Sequence, residues 1–340
     1  MKNPFVTNGY VSPEYFCDRE KETAKIVSLL TNENNIALIS PRRLGKTDLL
    51  RHCFGQPEIK EHYHTFIIDI YATSSVRDFV NVFGKAVLDE LRPKGKSVWG
   101  TFLNVLASLR SEITFDMNGQ PTWGIGLGAI TNPSATLDEI FSYLNNAGKP
   151  CLIAIDEFQQ ITKYADDPNI EAALRTHIQR CSNAHFVFSG SHRHLMGAMF
   201  TSPARPFYQS VTLINLPPIS VDKYAEFCLR HFERASRHLD TLVVTELYER
   251  FNGITSYMQK VMNILFSMTG TGEICIPSMI DTAINDLLDF SADTYDALLY
   301  QMPEKQRIVF MAIAAEGKAK AISSGDFVRK YKLQSASSVS

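Results

Sequence analysis

The sequence predicts the α/β fold class: a parallel sheet with helices on both faces, then a helical domain, then a partial helix-turn-helix domain. Three observations carry this. Over the first 220 residues, short apolar runs alternate with turns and helical patterns, the way a parallel sheet with crossover helices is written. Beyond Pro217 and Pro218 the pattern turns to helices alone. From Glu304 a helix, a break at Gly317, a second helix and the start of a third give the cadence of a helix-turn-helix.

Apolar runs of four to six residues mark strands at Ile36 to Ser40, Thr65 to Ile70, Cys151 to Ile155, Phe186 to Ser189 and Val211 to Leu216. Crossover helices are expected at about Lys46 to Phe54, Val76 to Leu91, Thr136 to Asn146, Ile170 to Cys181 and Arg193 to Phe200, spaced as right-handed βαβ units require. Glu112 to Gly128 interrupts the alternation with Asn118-Gly119 between two β-rich runs, a hairpin signal. The inserted hairpin is read as a docking ribbon or as a decoration covering a sheet edge. Later helices are expected at Val221 to Arg234, Leu242 to Phe251, Tyr257 to Met268, Pro277 to Leu288 and Ala292 to Tyr300, then at Lys305 to Ala315 and Ser324 to Tyr331, with a third from about Ser335 inside which the sequence ends. The expected domains are therefore 1–219, 220–302 and 303–340, the last incomplete.

Composition narrows the function classes. With 340 residues, 45% hydrophobic and 21% charged, the chain can bury more than one core. A net charge of -2 argues against a surface made wholly for nucleic acid. No apolar run approaches the length that spans a bilayer, and the first ten residues lack the layout of a secretory signal, so a cytoplasmic protein without membrane contact is expected. Six scattered cysteines, with no Cys-x-x-Cys pair, are read as reduced and mostly buried thiols.

The chemistry begins at the end of the first strand. Ile36 to Ile39 runs through Ser40, Pro41, Arg42, Arg43 and Leu44 into Gly45-Lys46-Thr47, and Asp48 opens an apolar helix. Strand, loop ending Gly-Lys-Thr, and helix form a phosphate-binding loop: amides at the helix start face an anion, Lys46 reaches the β- and γ-phosphates, and the Thr47 hydroxyl binds Mg²⁺. Ser40 stands where the usual pattern has its first glycine.

A second motif lies about 110 residues on. Cys151 to Ile155 is a fully apolar run ending in Asp156 and Glu157, as a buried central strand delivers acids to its carboxyl end. Asp156 is assigned to Mg²⁺, directly or through water, and Glu157 to orienting and deprotonating the attacking water. Read alone, the same run is also an ordinary strand ending in a solvated acidic turn. A second acid beside the metal ligand favours water as the nucleophile, hence hydrolysis. Ser191, at the end of the next strand with His192 behind it, is a candidate sensor of the γ-phosphate or part of a plain turn. Arg205 is a candidate arginine finger or a surface-loop arginine. His192 and His194 lack a third ligand at a suitable spacing.

With these residues in view, the chain resembles the archaeal-type ATPases of the STAND branch of AAA+-like P-loop NTPases over most of its length. Phe16-Cys17-Asp18-Arg19-Glu20 resembles that family's Phe-x-x-Arg-Glu segment near the base, and Pro41 to Thr47 its Pro-Arg-Arg-x-Gly-Lys-Thr loop. Asp156 to Gln159 is similar to its Walker B strand end, and Gly253 to Gln259, which includes Tyr257, to a Gly-x-Pro-x-Tyr-x-Gln helix start in its lid. The tail resembles its winged-helix domain. Thr255 stands where the lid motif has proline, and Phe207-Tyr208-Gln209-Ser210 where relatives carry Gly-Arg.

The resemblance implies a slow, Mg²⁺-dependent ATPase that works as a conformational switch between nucleotide domain and lid, with Phe16, Arg19 and Tyr257 around the nucleotide. The alternatives are a scaffold that binds ATP without hydrolysing it, and a DNA-binding regulator that uses ATP for assembly. Partners beyond ATP would be a protein client, a second copy of the chain, or DNA through the tail. From Glu304 to Lys332 seven basic residues stand against three acidic ones, the one clearly basic stretch. Ending partway along the third helix would leave DNA affinity weak.

Overall fold

The computed structural model describes residues 2–91, 113–115, 121–123, 133–317 and 319–333. The chain divides into two compact units, Met1–Pro277 and Ser278–Ser340.

In the first unit, after a short turn at Pro13–Tyr15, the order is α1 (Glu20–Thr31), β1 (Ile36–Ile39), α2 (Lys46–Phe54), α3 (Pro57–His62), β2 (His64–Asp69), α4 (Val76–Leu91), β3 (Ile113–Phe115), β4 (Pro121–Trp123), α5 (Pro133–Asn145), β5 (Cys151–Asp156), α6 (Ile170–Arg180), β6 (Ala184–Gly190), α7 (Arg193–Thr201) and β7 (Thr212–Asn215). A 3-10 segment, Phe158–Lys163, follows β5 directly. Five strands pair in the order β2-β5-β6-β1-β7, every pair parallel. All five coincide with expected runs to within two residues at either end. β3 and β4 pair antiparallel, as a hairpin would; the Asn118-Gly119 turn lies outside the described residues.

Side chains leave a strand on alternate faces, and the core divides accordingly. Cys151, Ile153 and Ile155 join the cluster under α4, α5, α6 and α7, while Leu152 and Ala154 join the one under α1, α2 and α3. Burial on both faces explains why β5 is buried at every position and reads as an unbroken apolar run. Helices thus cover both faces, as expected. Phe158, Phe188, Phe200 and Phe207 stack on the first face, with centroids 4.4 to 6.2 Å apart.

Pro217 and Pro218 end the alternation, and the helical part follows: α8 (Val221–Arg234), β8 (His238–Leu239), α9 (Thr241–Phe251), α10 (Thr255–Met268) and β9 (Ile274–Cys275). Ser220 caps α8 by accepting from the Lys223 amide, and Asp240 caps α9 by accepting from Leu242. Tyr224, Phe227, Cys228, His231 and Phe232 form the buried stripe of α8, at the spacing of one helical face.

The second unit holds α11 (Ile280–Gln301), α12 (Glu304–Glu316) and α13 (Gly325–Lys330), with Ala312, Phe327 and Leu333 at its core. Here one expectation is corrected: Pro277 to Leu288 and Ala292 to Tyr300 are not two helices. A 3-10 turn at Pro277–Met279 leads into a single helix, because nothing between Ile280 and Gln301 is a proline or glycine that would break it. The expected third helix near Ser335 lies outside the described residues.

All six cysteines are free, five of them buried. Among the described residues no helix is long and apolar enough to cross a membrane.

Candidate functional site

A cleft of about 640 Å³ opens at the carboxyl ends of the parallel strands, the usual place for a ligand in an open α/β sheet. One side is the loop between β1 and α2. Arg43 and Gly45 both adopt left-handed backbone, φ 70° and 83°, with Leu44 buried between them. A Cβ at position 45 would meet no atom within 4 Å, so glycine serves the backbone turn there and the space beyond belongs to the cleft. Gly45 precedes the first turn of α2, whose leading amides have no helical partners and supply positive potential. Ser40, in place of the usual glycine, is fully buried and donates its hydroxyl proton to the Pro41 carbonyl at 3.1 Å, a bond that lets a small polar residue make the turn.

Lys46 is 7% exposed and donates to the carbonyls of Ser40 at 3.1 Å and Pro41 at 3.3 Å. Burial pushes its amine below the usual lysine range, opposed by the carboxylates of Asp156 and Glu157. Thr47 Oγ1 donates to Asp156 Oδ2 at 2.5 Å across 109 residues. The loop residue and the strand-end acid, two expected metal ligands, are therefore adjacent, and Asp156 Oδ1 accepts from the Glu157 amide at 3.0 Å.

Glu157 follows with φ 54°, and its Oε2 accepts from Ser191 Oγ at 2.8 Å and from Gln159 Nε2. Ser191 Oγ also accepts from Arg42 Nε at 3.4 Å, so the β1–α2 loop, the β5 end and the β6 end meet in one network. Asp69, the β2 partner of Asp156 in register, also lines the cleft, and the Arg42 guanidinium lies 5.4 Å over Tyr71. Sequence reading missed Asp69 and Tyr71, although the carboxyl end of a second central strand was the signal for them.

The opposite wall comes from two places. Arg43 accepts through its carbonyl from the Ser256 amide at 3.2 Å, and its guanidinium lies 4.9 Å over Tyr257 while donating to that hydroxyl. This joins the loop to the start of α10, from which Thr255, Ser256 and Gln259 line the cleft. The second source is the chain before α1. Phe16 stacks on His52 of α2 at 4.4 Å, and Tyr10 donates to or accepts from His52 Nδ1 at 3.1 Å. Burial raises the Asp48 carboxyl, against the lowering effects of Arg51 and the Tyr10 amide, so Asp48 faces this segment. Arg19, 3% exposed, donates to Glu22 and to the Pro217 carbonyl at 2.8 Å each. Further up, Phe5 is fully buried among Phe227, Phe232 and Phe266, and Asn3 and Asn263 donate to the carbonyls of Asn263 and Phe5, both at 2.7 Å. Residues 6–11 have no periodicity, and their part in the wall was not read from sequence.

Pro41, Ser191 and Tyr257 do not line the cleft but bond to Lys46, Glu157 and Arg43, which do. Arg205 lies apart from it and pairs with Glu171 at the start of α6, whose carboxyl is raised by burial and lowered by the arginine. Among the described residues no group of three or more His, Cys, Asp or Glu is arranged to hold a metal ion, His192 and His194 included.

A family model described as an ATPase domain predominantly from Archaea matches residues 16–261, and one described as a probable winged helix domain matches residues 293–340. No curated protein matches. Among solved structures, a Walker-type ATPase of Pyrococcus abyssi is similar over 97% of this chain and 87% of that one, at 17% identity and a TM-score of 0.60. The Aeropyrum pernix ORC1 protein, solved in complex with DNA, is similar over 97% and 81%, at 13% identity and a TM-score of 0.58. The Aeropyrum pernix ORC2 protein, in ADPNP–ADP complexes, is similar over 97% and 82%, at 15% identity and a TM-score of 0.57. At these identities the likeness is one of fold.

Proposed function

This chain belongs to the family of ATPase domains found predominantly in Archaea, and on that premise we propose that it is a slow, Mg²⁺-dependent ATP hydrolase of the STAND branch that works as a conformational switch. The observation that carries the reading is the Thr47–Asp156 contact beside buried Lys46 and half-buried Glu157. A hydroxyl and a carboxylate oxygen in contact are the hard donors that Mg²⁺ takes alongside phosphate oxygens and water. When bound, the ion supplies charge neutralisation at the β- and γ-phosphates.

Within this reading the amides of Gly45 to Asp48 cradle the phosphates, with Pro41 to Leu44 shaping the loop, and Lys46 exchanges its two carbonyl partners for phosphate oxygens. Glu157 takes a proton from a water that attacks the γ-phosphorus, and ADP departs. Ser191 reports on the γ-phosphate through its bonds to Glu157 and Arg42. Phe16 and Arg19 hold the base side of the cleft. The switch is supported by Arg43, which bonds helix α10 through Ser256 and Tyr257, so occupancy of the loop is felt by the helices α8 to α10 as a lid.

Phosphate release by the intact protein tests the proposal. Glu157→Gln is expected to lower turnover by about 10²- to 10⁴-fold while ATP still binds. Phosphate release that is equally slow in both proteins overturns hydrolysis and leaves a scaffold that only binds nucleotide, whereas equal and substantial rates overturn only Glu157 as the base.

A second reading, duplex DNA as partner, is favoured by the winged-helix match at 293–340 and the basic surplus of that stretch. Lys330 pairs with Glu316 at 2.6 Å and Arg329 with Asp326 at 2.6 Å, which spends part of that charge internally. Retention on duplex DNA at low salt that disappears when Lys330 and Lys332 are neutralised supports the reading, and no retention at low salt defeats it.

A further inference from the structure

Gln159 is a buried side chain to which the hydrolytic scheme gives no task. It sits two residues beyond Glu157 in the 3-10 segment and is 3% exposed. Its Nε2 donates to Glu157 Oε2, while its Oε1 is buried with no hydrogen-bond partner. An amide oxygen in that state destabilises the fold, and an apolar side chain of similar length would remove the defect. The orientation of the amide follows from its neighbour, because the flipped form would set its oxygen against a carboxylate oxygen.

The carboxamide is also wedged. Gly190 ends β6, and a Cβ there would collide with Gln159 Oε1 and lie 2.5 Å from Met196 Sδ. Glycine at 190 is therefore what admits the amide. Ser191, the next residue, donates to the same oxygen of Glu157 at 2.8 Å. Two donors from two separate elements thus converge on Oε2, and they hold a residue whose backbone, at φ 54°, lies in the left-handed region.

We propose that Gln159 is a positioning residue: with Ser191 it fixes Glu157 through Oε2 and so turns Oε1 to the cleft as the atom that receives the proton of the attacking water. This rests on Glu157 as the base of the proposed hydrolysis. The uncompensated oxygen is the stability given up for that geometry.

The test compares phosphate release, ATP affinity and melting temperature for the full chain and four variants: Gln159→Met, Gln159→Glu, Glu157→Gln, and Glu157→Gln combined with Gln159→Met. Gln159→Met is expected to lower kcat roughly 10- to 100-fold, with KM and ATP Kd within about twofold, and to melt at or above the wild-type temperature because the orphaned oxygen is gone. Gln159→Glu keeps the shape without the donor, and its kcat should fall at least as far. The double variant should be no slower than Glu157→Gln alone, since Gln159 acts only through Glu157. A wild-type kcat in Gln159→Met or Gln159→Glu, beside a slow Glu157→Gln, overturns the positioning role alone. A kcat that falls only together with melting temperature and affinity marks a structural role and overturns it too. Equal rates for wild type and Glu157→Gln overturn the base, and this inference with it.

Discussion

Lys46 shows how one side chain is held between two demands. The residue is 7% exposed, and its burial weakens the hold on the proton, yet two backbone carbonyls and two nearby acids keep it useful as a cation. On the proposed function, removing it takes charge-assisted bonds from the phosphate without opening an apolar core. Lys46→Ala should therefore weaken ATP binding by about 10- to 100-fold, from the roughly 1.5–3 kcal/mol of a hydrogen bond to a charged group, and calorimetric titration beside a melting curve should show an unchanged fold. This part of the site was legible because its residues are contiguous and stand between a strand and a helix. Thr47 and Asp156 were each readable for the same reason, although their contact spans 109 residues. Tyr10 and Val11 were not, since a wall built from irregular chain carries neither spacing nor period.

At the scale of elements, capped and amphipathic helices announced themselves. α8 and α2 have the boundaries expected from sequence, the first because Ser220 caps it after two prolines, the second because Gly45 turns the chain into it. Strand positions were equally plain, but their order was not. β1, β5 and β6 are each buried at every position, so nothing in the composition of β6 says that it lies between β1 and β5. The pairing of Arg205 was not legible at this level, because its partner Glu171 belongs to a helix 34 residues earlier. Arg205 is about a third exposed and Glu171 is buried, so Arg205→Ala should cost about 1–2 kcal/mol after allowance for solvent screening. Thermal denaturation should record that loss while phosphate release stays within about twofold. A loss of turnover near 10³-fold would instead identify an arginine finger.

For the whole molecule, buried and half-buried histidines set a dependence of stability on acidity. Burial lowers His52, His177, His185 and His231, and for His231 the cations Arg230 and Arg234 lower it further while Glu14 opposes them. The folded state then releases these protons more readily than the unfolded chain does. Their stabilisation is complete above the unfolded value of about 6.5 and is lost as pH falls through the folded values. Melting temperatures should accordingly drop between pH 7.5 and 5.5, with a slope of up to about 1.4 kcal/mol per pH unit for each proton taken up. His231→Phe, in a pocket where Tyr15 stacks at 5.8 Å and Phe227 meets the ring edge-on at 4.5 Å, should flatten that curve. An unaltered slope would assign it to the other three.

The anchoring of Phe5 among α8 and α10, with Asn3 bonded 260 residues away at Asn263, also has a meaning for biosynthesis. A ribosome adding roughly 5–20 residues per second releases the amino terminus tens of seconds before its binding partners exist. Until then Phe5 trails as a sticky, unpaired aromatic, whereas Tyr10 and Phe16 have an earlier partner in His52 of α2. The parallel sheet is thus complete before the segment ahead of α1 can be seated, and that gap closes only when α10 leaves the exit tunnel.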